Sequence, residues 1–162
     1  MPNRKFRISD SRRYTPNVQI ELLRSDVASM KVDAIVNPRP AQAKDGADPY
    51  SSPAEVTTGG NLLCKFIIQA ILPPPGSDDA DRHLQATTWS ALRRAEELAL
   101  RSIAFPPFHT MAGVPAERCA RAMMGAALDF APQARSVEHV VFCAFNETSY
   151  TSLQRVLEEL QH

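Results

Sequence analysis

Two short apolar runs, residues 20–23 and 34–36, flank a polar connection, and this arrangement constrains the chain more than any other stretch. Residues 18–23 alternate β-branched and aliphatic side chains, the pattern of a strand. Residues 31–37 read as a second strand, buried on both faces near its end. The first run ends in Ser25-Asp26-Val27, a short carboxylate followed by an apolar residue, and the second ends in Asn37, an amide at a strand tip. Parallel strands deliver their C-terminal ends to one edge of a sheet, and open α/β sheets bind ligands at that edge. Pro38 and Pro40 are expected to stop the second strand, because neither can donate to a ladder.

The other elements follow from periodicity. Residues 5–8 alternate weakly and read as an edge strand, broken by the polar tract 10–16. Residues 26–31 hold a helical turn. Residues 41–53 contain Gly46, Pro49 and Pro53, lack a hydrophobic period and read as an irregular loop. A strand at 54–58, a turn at Gly59-Gly60 and a buried strand at 63–72 form a hairpin; a helix can be drawn through 62–72, but consecutive Phe66, Ile67 and Ile68 favour a strand. Ser77 or Asp78 is expected to cap a long helix with the apolar stripe Leu84, Thr88, Ala91, Leu92, Ala95 and Leu98, leaving Arg93, Arg94, Glu96 and Glu97 mostly facing water. A short strand at 102–105, a loop at 108–114 and a helix opening at Pro115 come next. A strand at 137–145 and a helix capped by Asn146 complete the chain. This order implies an α/β fold: a three-layer α/β/α sandwich with a mixed, largely parallel central sheet. The 162 residues form one domain, with 1–17 as an N-terminal edge strand or arm.

Composition narrows the function classes. The net charge is zero, which supplies no electrostatic argument for binding nucleic acid. The basic tract 3–13 reads as a solvated edge strand in preference to an arm on RNA. No apolar run approaches the roughly 20 residues that span a bilayer, so no membrane partner is expected. Cys64, Cys119 and Cys143 have no CxxC spacing and read as small core residues; their odd number, without a signal peptide, points to a reducing cytoplasm. The four histidines are scattered, so neither a metal site nor a cofactor is expected.

Several motifs in order resemble the macro domain, the module that binds ADP-ribose and related nucleotides. Arg24-Ser25-Asp26-Val27 stands where macro domains carry Gly-Asp-Ile or Gly-Asp-Val after their opening strand. Val-Asp-Ala-Ile-Val-Asn follows at 32–37, Ser-Ile-Ala-Phe-Pro at 102–106, and Gly113-Val114-Pro115 stands for Gly-Phe-Pro. The last strand and helix resemble 140–145 followed by Tyr150 and Leu153. The resemblance spans residues 18–160 and implies that ADP-ribose or a related nucleotide is the partner. It also has two departures. Pro40 stands at the second asparagine of the Val-Asn-Ala-Ala-Asn motif, and residues 41–53 replace a glycine-rich loop and its helix. Met111 stands at a glycine of the second loop. Hydrolytic members rely on the rewritten first segment, so no catalytic residue is assigned.

The resemblance implies a ligand-binding set of Asp26, Val27, Asn37, Thr110, Gly113, Val114 and Phe145, and each has a plainer reading. Asp26 accepts from an adenine amine while the Val27 N–H meets a ring nitrogen, or Asp26 caps the turn behind it. Asn37 contacts a distal ribose, or satisfies backbone groups before Pro38. Thr110, Gly113 and Val114 cradle phosphate through backbone donors, with Met111 obstructing the approach, or simply connect strand to helix. Phe145 stacks on a purine, or is a core or rim residue. Arg39 offers a charge-assisted phosphate contact, and His109 is more readily a loop histidine than a general base. A degenerate fold used for assembly is the rival reading, and a homo-oligomer is a partner the sequence leaves open.

Overall fold

The computed structural model describes residues 4–8 and 18–160. The polar tract 10–16 and most of the basic N-terminal tract lie outside the described residues. Seven strands form one sheet: β1 (Arg4–Ile8), β2 (Val18–Leu23), β3 (Ala34–Pro40), β4 (Val56–Thr58), β5 (Phe66–Leu72), β6 (Ser102–Phe105) and β7 (His139–Cys143). Their spatial order is β1-β2-β7-β6-β3-β5-β4. β2, β7, β6, β3 and β5 run parallel to one another, and β1 and β4 pair antiparallel at the two edges. The mixed, largely parallel sheet and the β4–β5 hairpin are as the sequence implies.

Four α-helices follow: α1 (Ala80–Glu97), α2 (His109–Ala112), α3 (Ala116–Phe130) and α4 (Glu147–Leu160). The three long ones form one packed layer on one face of the sheet. Leu84 and Leu92 of α1, Met123 and Phe130 of α3, and Leu153 and Val156 of α4 join Ile20, Leu22, Val36, Ile68, Leu72, Ile103 and Phe142 in a single core. Each fully buried Leu, Ile or Phe of this kind contributes roughly 1.5–3 kcal/mol. Trp89 packs at the edge of the stripe, with its ring meeting Phe130 edge-on at 5.3 Å. The opposite face is covered by turns over β6 and β7. Leu23, Val27, Met30 and Val32 pack over Ala104, Val141 and Cys143 around a 3-10 turn at Val27–Ser29.

The structure corrects several expectations. β3 runs through both prolines to Pro40, because it pairs with β5 along its whole length but with β6 only at Ala34 and Ile35. The Ala41 N–H donates to the Leu72 carbonyl on the β5 side at 3.1 Å. N–H groups alternate sides along a strand, so Pro38 and Pro40 lack theirs on the side where β6 has departed. The region 108–114 is not all loop, since a one-turn helix occupies its centre. α1 starts after Asp79, later than Ser77 or Asp78. Glu96 does not face water: its carboxylate accepts from the N–H groups of Arg135, Ser136 and Val137 at 2.6–3.1 Å, pinning the turn that leads into β7. The Asn146 cap is present, its Oδ1 accepting from the Ser149 N–H at 2.8 Å. All three cysteines are buried.

Candidate functional site

The sheet divides where β3 and β6 part. Strand order reverses there: β5 follows β3 on one side, while β7 and β2 follow β6 on the other. Ligand crevices of open α/β sheets lie at such a point, beyond the carboxyl ends of the strands. Here the seam is edged by Pro38 and Pro40 on one side and by Pro106 and Pro107, which follow β6, on the other. The seam therefore opens without stranding backbone donors.

A cleft of about 400 Å³ lies at this seam, lined by Val27, Ala28, Ile35, Val36, Asn37, Pro38, Leu62, Ile67, Gln69 and Pro106. Its walls are mostly apolar. Its polar floor is a cross-strand pair, Asn37 and Gln69, in register on β3 and β5. Asn37 Nδ2 donates to Gln69 Oε1 at 3.0 Å. Asn37 thus bonds to a neighbouring side chain, where the plainer sequence reading had its own backbone. The sequence reading missed Gln69. The signal was present: one amide inside the otherwise apolar run 66–72.

Asp26 and Phe145 follow the paired ends of β2 and β7. The β2–β7 ladder continues past its last strand residues, with Ala144 N–H donating to the Leu23 carbonyl at 2.9 Å and Ser25 N–H to the Ala144 carbonyl at 3.1 Å. The next residue on each chain is Asp26 and Phe145. Asp26 Oδ1 accepts from the Ala28 N–H at 3.0 Å, so the capping role is real. A carboxylate has further acceptor capacity, and this one is exposed. Phe145 is 74% exposed, which excludes the core reading. Of the seven residues the sequence singled out, Val27 and Asn37 line the cleft, Asp26 directly precedes Val27, and Phe145, Thr110, Gly113 and Val114 lie outside the lining.

The segment 109–114 differs from a phosphate cradle. Ala112 N–H donates to the Phe108 carbonyl at 3.0 Å, and Gly113 and Val114 N–H both donate to the His109 carbonyl, at 2.9 and 3.2 Å. Gly113 closes the turn in the left-handed region at φ +67°. A Cβ there would lie 2.7 Å from Pro75 Cβ, so glycine is required by packing on the 73–76 turn. Met111 is part of the helical turn and points outward, 39% exposed. His109 is half-buried, and that burial holds its pKa below the usual histidine value.

Arg39 is also committed. Its guanidinium meets the Asp45 carboxylate at 2.7 and 2.9 Å and lies 3.5 Å from Glu55. The Arg39 fork, aided by the Gln42 N–H, holds the Asp45 carboxyl at about 2. Arg24, at the tip of β2, is paired with Glu147 at 2.5 Å. Among the described residues that line the cleft, none carries a charge. No three His, Cys, Asp or Glu side chains come together as a metal site among the described residues. No described helix is long and apolar enough to cross a membrane.

Known proteins resemble this chain in fold and sequence. The macro domain family model matches residues 48–123. A macro domain-containing protein of Caldanaerobacter subterraneus is 29% identical, with 88% of this chain and 97% of that protein aligned. A protein of Pyrobaculum aerophilum is 28% identical over 88% of this chain and 92% of its own length. Among solved structures, the Oceanobacillus iheyensis macrodomain with ADP superposes with a TM-score of 0.72 at 20% identity, covering 99% of this chain and 98% of that one. The Trypanosoma brucei macrodomain in complex with ADP-ribose does so at 0.71 and 22%, covering 85% of this chain and 68% of that one.

Proposed function

Because the chain folds as a macro domain and its stretch 48–123 matches that family's model, we propose that it binds ADP-ribose or a related nucleotide without turning it over. The observation that carries this reading is the open cleft at the β3–β6 seam, which holds the Asn37–Gln69 amide pair and is lined by Val27, the residue after the exposed Asp26 carboxylate. Asp26 accepts from the exocyclic amine of the base, the Val27 N–H meets a ring nitrogen, and Phe145 stacks on the ring. Base–aromatic stacking of this type is worth about 1–3 kcal/mol. Asn37, steadied by Gln69, meets hydroxyl groups of the distal ribose. The lack of charged or titratable side chains in the described cleft lining favours binding over hydrolysis, which needs a group that orients and deprotonates water.

The test is calorimetry with ADP-ribose on the wild type and on Asp26→Ala. Binding that weakens at least about tenfold in the variant, without release of free ADP-ribose from ester or phosphate derivatives, is the expected result. No heat at millimolar ligand removes the reading. A second reading, an assembly module, is favoured by the exposed apolar side chains Leu62, Leu63 and Phe145. It predicts a defined oligomer by light scattering, lost on Leu63→Ser.

A further inference from the structure

We propose that a second cavity, on the far side of Gln69 from the cleft, binds an uncharged, polyhydroxylated molecule such as a monosaccharide. This cavity shares only Gln69 with the cleft lining, and the proposal does not draw on the nucleotide reading.

The cavity exists because two strands part. β4 pairs with β5 over Phe66–Ile68, and one further bond runs from the Gln69 N–H to the Glu55 carbonyl at 2.9 Å. From there back to Pro49 the chain leaves the β5 edge and rests on α1, where the Ser90 hydroxyl donates to the Tyr50 carbonyl at 2.8 Å. A space of about 220 Å³ is left between loop, strand edge and helix. That is the share of about seven waters in the liquid.

Several polar groups converge on it. Continuing the β4–β5 register sets Pro53 opposite Ile71, and Pro53 has no N–H. The Ile71 carbonyl therefore receives no ladder donor and is left as an acceptor on the cavity wall. Thr87 of α1 lines the cavity and is only 3% exposed. Its neighbour Thr88 donates its hydroxyl to the Leu84 carbonyl at 2.8 Å, whereas the Thr87 hydroxyl makes no such bond among the described residues. A buried hydroxyl is costly without a partner, and a ligand here supplies one. Tyr50, buried and stacked on His83 at 4.1 Å, and the Gln69 amide complete the set.

The rest of the lining selects against charge. Lys44 and the adjoining Arg39 are matched by Asp45 and Glu55, with Arg39 bridging the two carboxylates at 2.7 and 3.5 Å. Pro49, Pro53 and Ala54 supply apolar surface between the polar groups. A sugar fits this mixture: each hydroxyl both donates and accepts, and the ring carbons present apolar faces.

The experiment is a two-dimensional NMR titration of the full chain with D-ribose and with D-ribose 5-phosphate. D-Ribose is expected to perturb the amides of residues 50–54 and the Gln69 side chain, with a millimolar Kd. Thr87→Val keeps the shape and removes the hydroxyl; it should weaken this binding at least about fivefold without lowering Tm. Ala54→Leu fills the space and should abolish the binding. The phosphate ester should bind no more tightly than the sugar. The proposal is overturned by no perturbation at roughly 100 mM sugar, by perturbation centred instead on Val27 and Asn37, or by an unchanged Kd in both variants. A phosphate ester bound more than about tenfold tighter than the sugar overturns it too. ADP-ribose binding at the cleft is untouched by any of these outcomes.

Discussion

Arg39 and Asp45 meet end to end, two guanidinium nitrogens on two carboxylate oxygens at 2.7 and 2.9 Å, and this pair fastens a segment that has no hydrophobic period. Residues 41–53 are held at their far end by Tyr50, which is buried, stacks on His83 at 4.1 Å and receives the Ser90 hydroxyl on its carbonyl at 2.8 Å. The irregular loop expected from composition is therefore anchored at both ends.

The Arg39–Asp45 pair makes stability depend on acid. The Asp45 carboxyl sits at about 2 in the folded chain against an ordinary 3.8, so its contribution is present above 3.8 and is lost as pH falls through about 2. Asp45→Asn is expected to lower Tm at neutral pH and to flatten the acid limb of the Tm–pH profile. Equal slopes for variant and wild type, measured by circular dichroism from neutrality to strong acid, would falsify this account.

Two backbone positions should respond in opposite directions. Gly113→Ala places a Cβ against Pro75 at a left-handed φ and is expected to cost about 1–3 kcal/mol in urea denaturation. Adding Pro75→Gly should restore the steric share of that loss, because the two sites couple directly. Ala99 already holds φ +57° past the end of α1, so Ala99→Gly is expected to gain about 0.5–1 kcal/mol. A neutral Gly113→Ala or a destabilised Ala99→Gly contradicts the conformations described here.

Phe145→Ala separates binding from folding. The ring is 74% exposed, so its loss should move Tm by no more than about a degree. Nucleotide affinity should fall about tenfold or more if the ring stacks on the base. An unchanged Kd by calorimetry removes Phe145 from the site.

The thiols provide a check on the core. Burial drives the Cys119 and Cys143 thiols up to about 12, with the Asp26 and Glu21 carboxylates adding to the effect at Cys143. Neither should be labelled by a thiol-specific chromophore in the native protein near pH 8, and both should react in guanidinium. Rapid labelling of either one in the native state contradicts the burial.

The sheet was legible where residues carry a period of two and the core where they carry a helical stripe. β2 declares itself in this way, while β5 and β6 show as short apolar runs bounded by turn residues. What the sequence concealed depends on distant partners. β3 passes through Pro38 and Pro40 only because β6 turns away, a relation set some 65 residues downstream. Glu96 looks like a solvent-facing helix residue until the turn at 135–137 arrives above it. The 109–112 turn is too short to show a period, so a loop was the natural reading. For the candidate site, the motifs named Asp26 and Phe145, but that the two are neighbours follows only from the β2–β7 pairing, and the pairing of Gln69 with Asn37 only from their register on β5 and β3.

The proline-edged seam has a consequence for how this molecule meets other chains. A gap in a sheet exposes a ladder edge, and such an edge is a template on which a foreign strand can zip. Here the exposed margins at 38–40 and 106–107 carry prolines in place of the donors that zipping needs. The opening can admit a small molecule while remaining a poor seed for strand addition and aggregation.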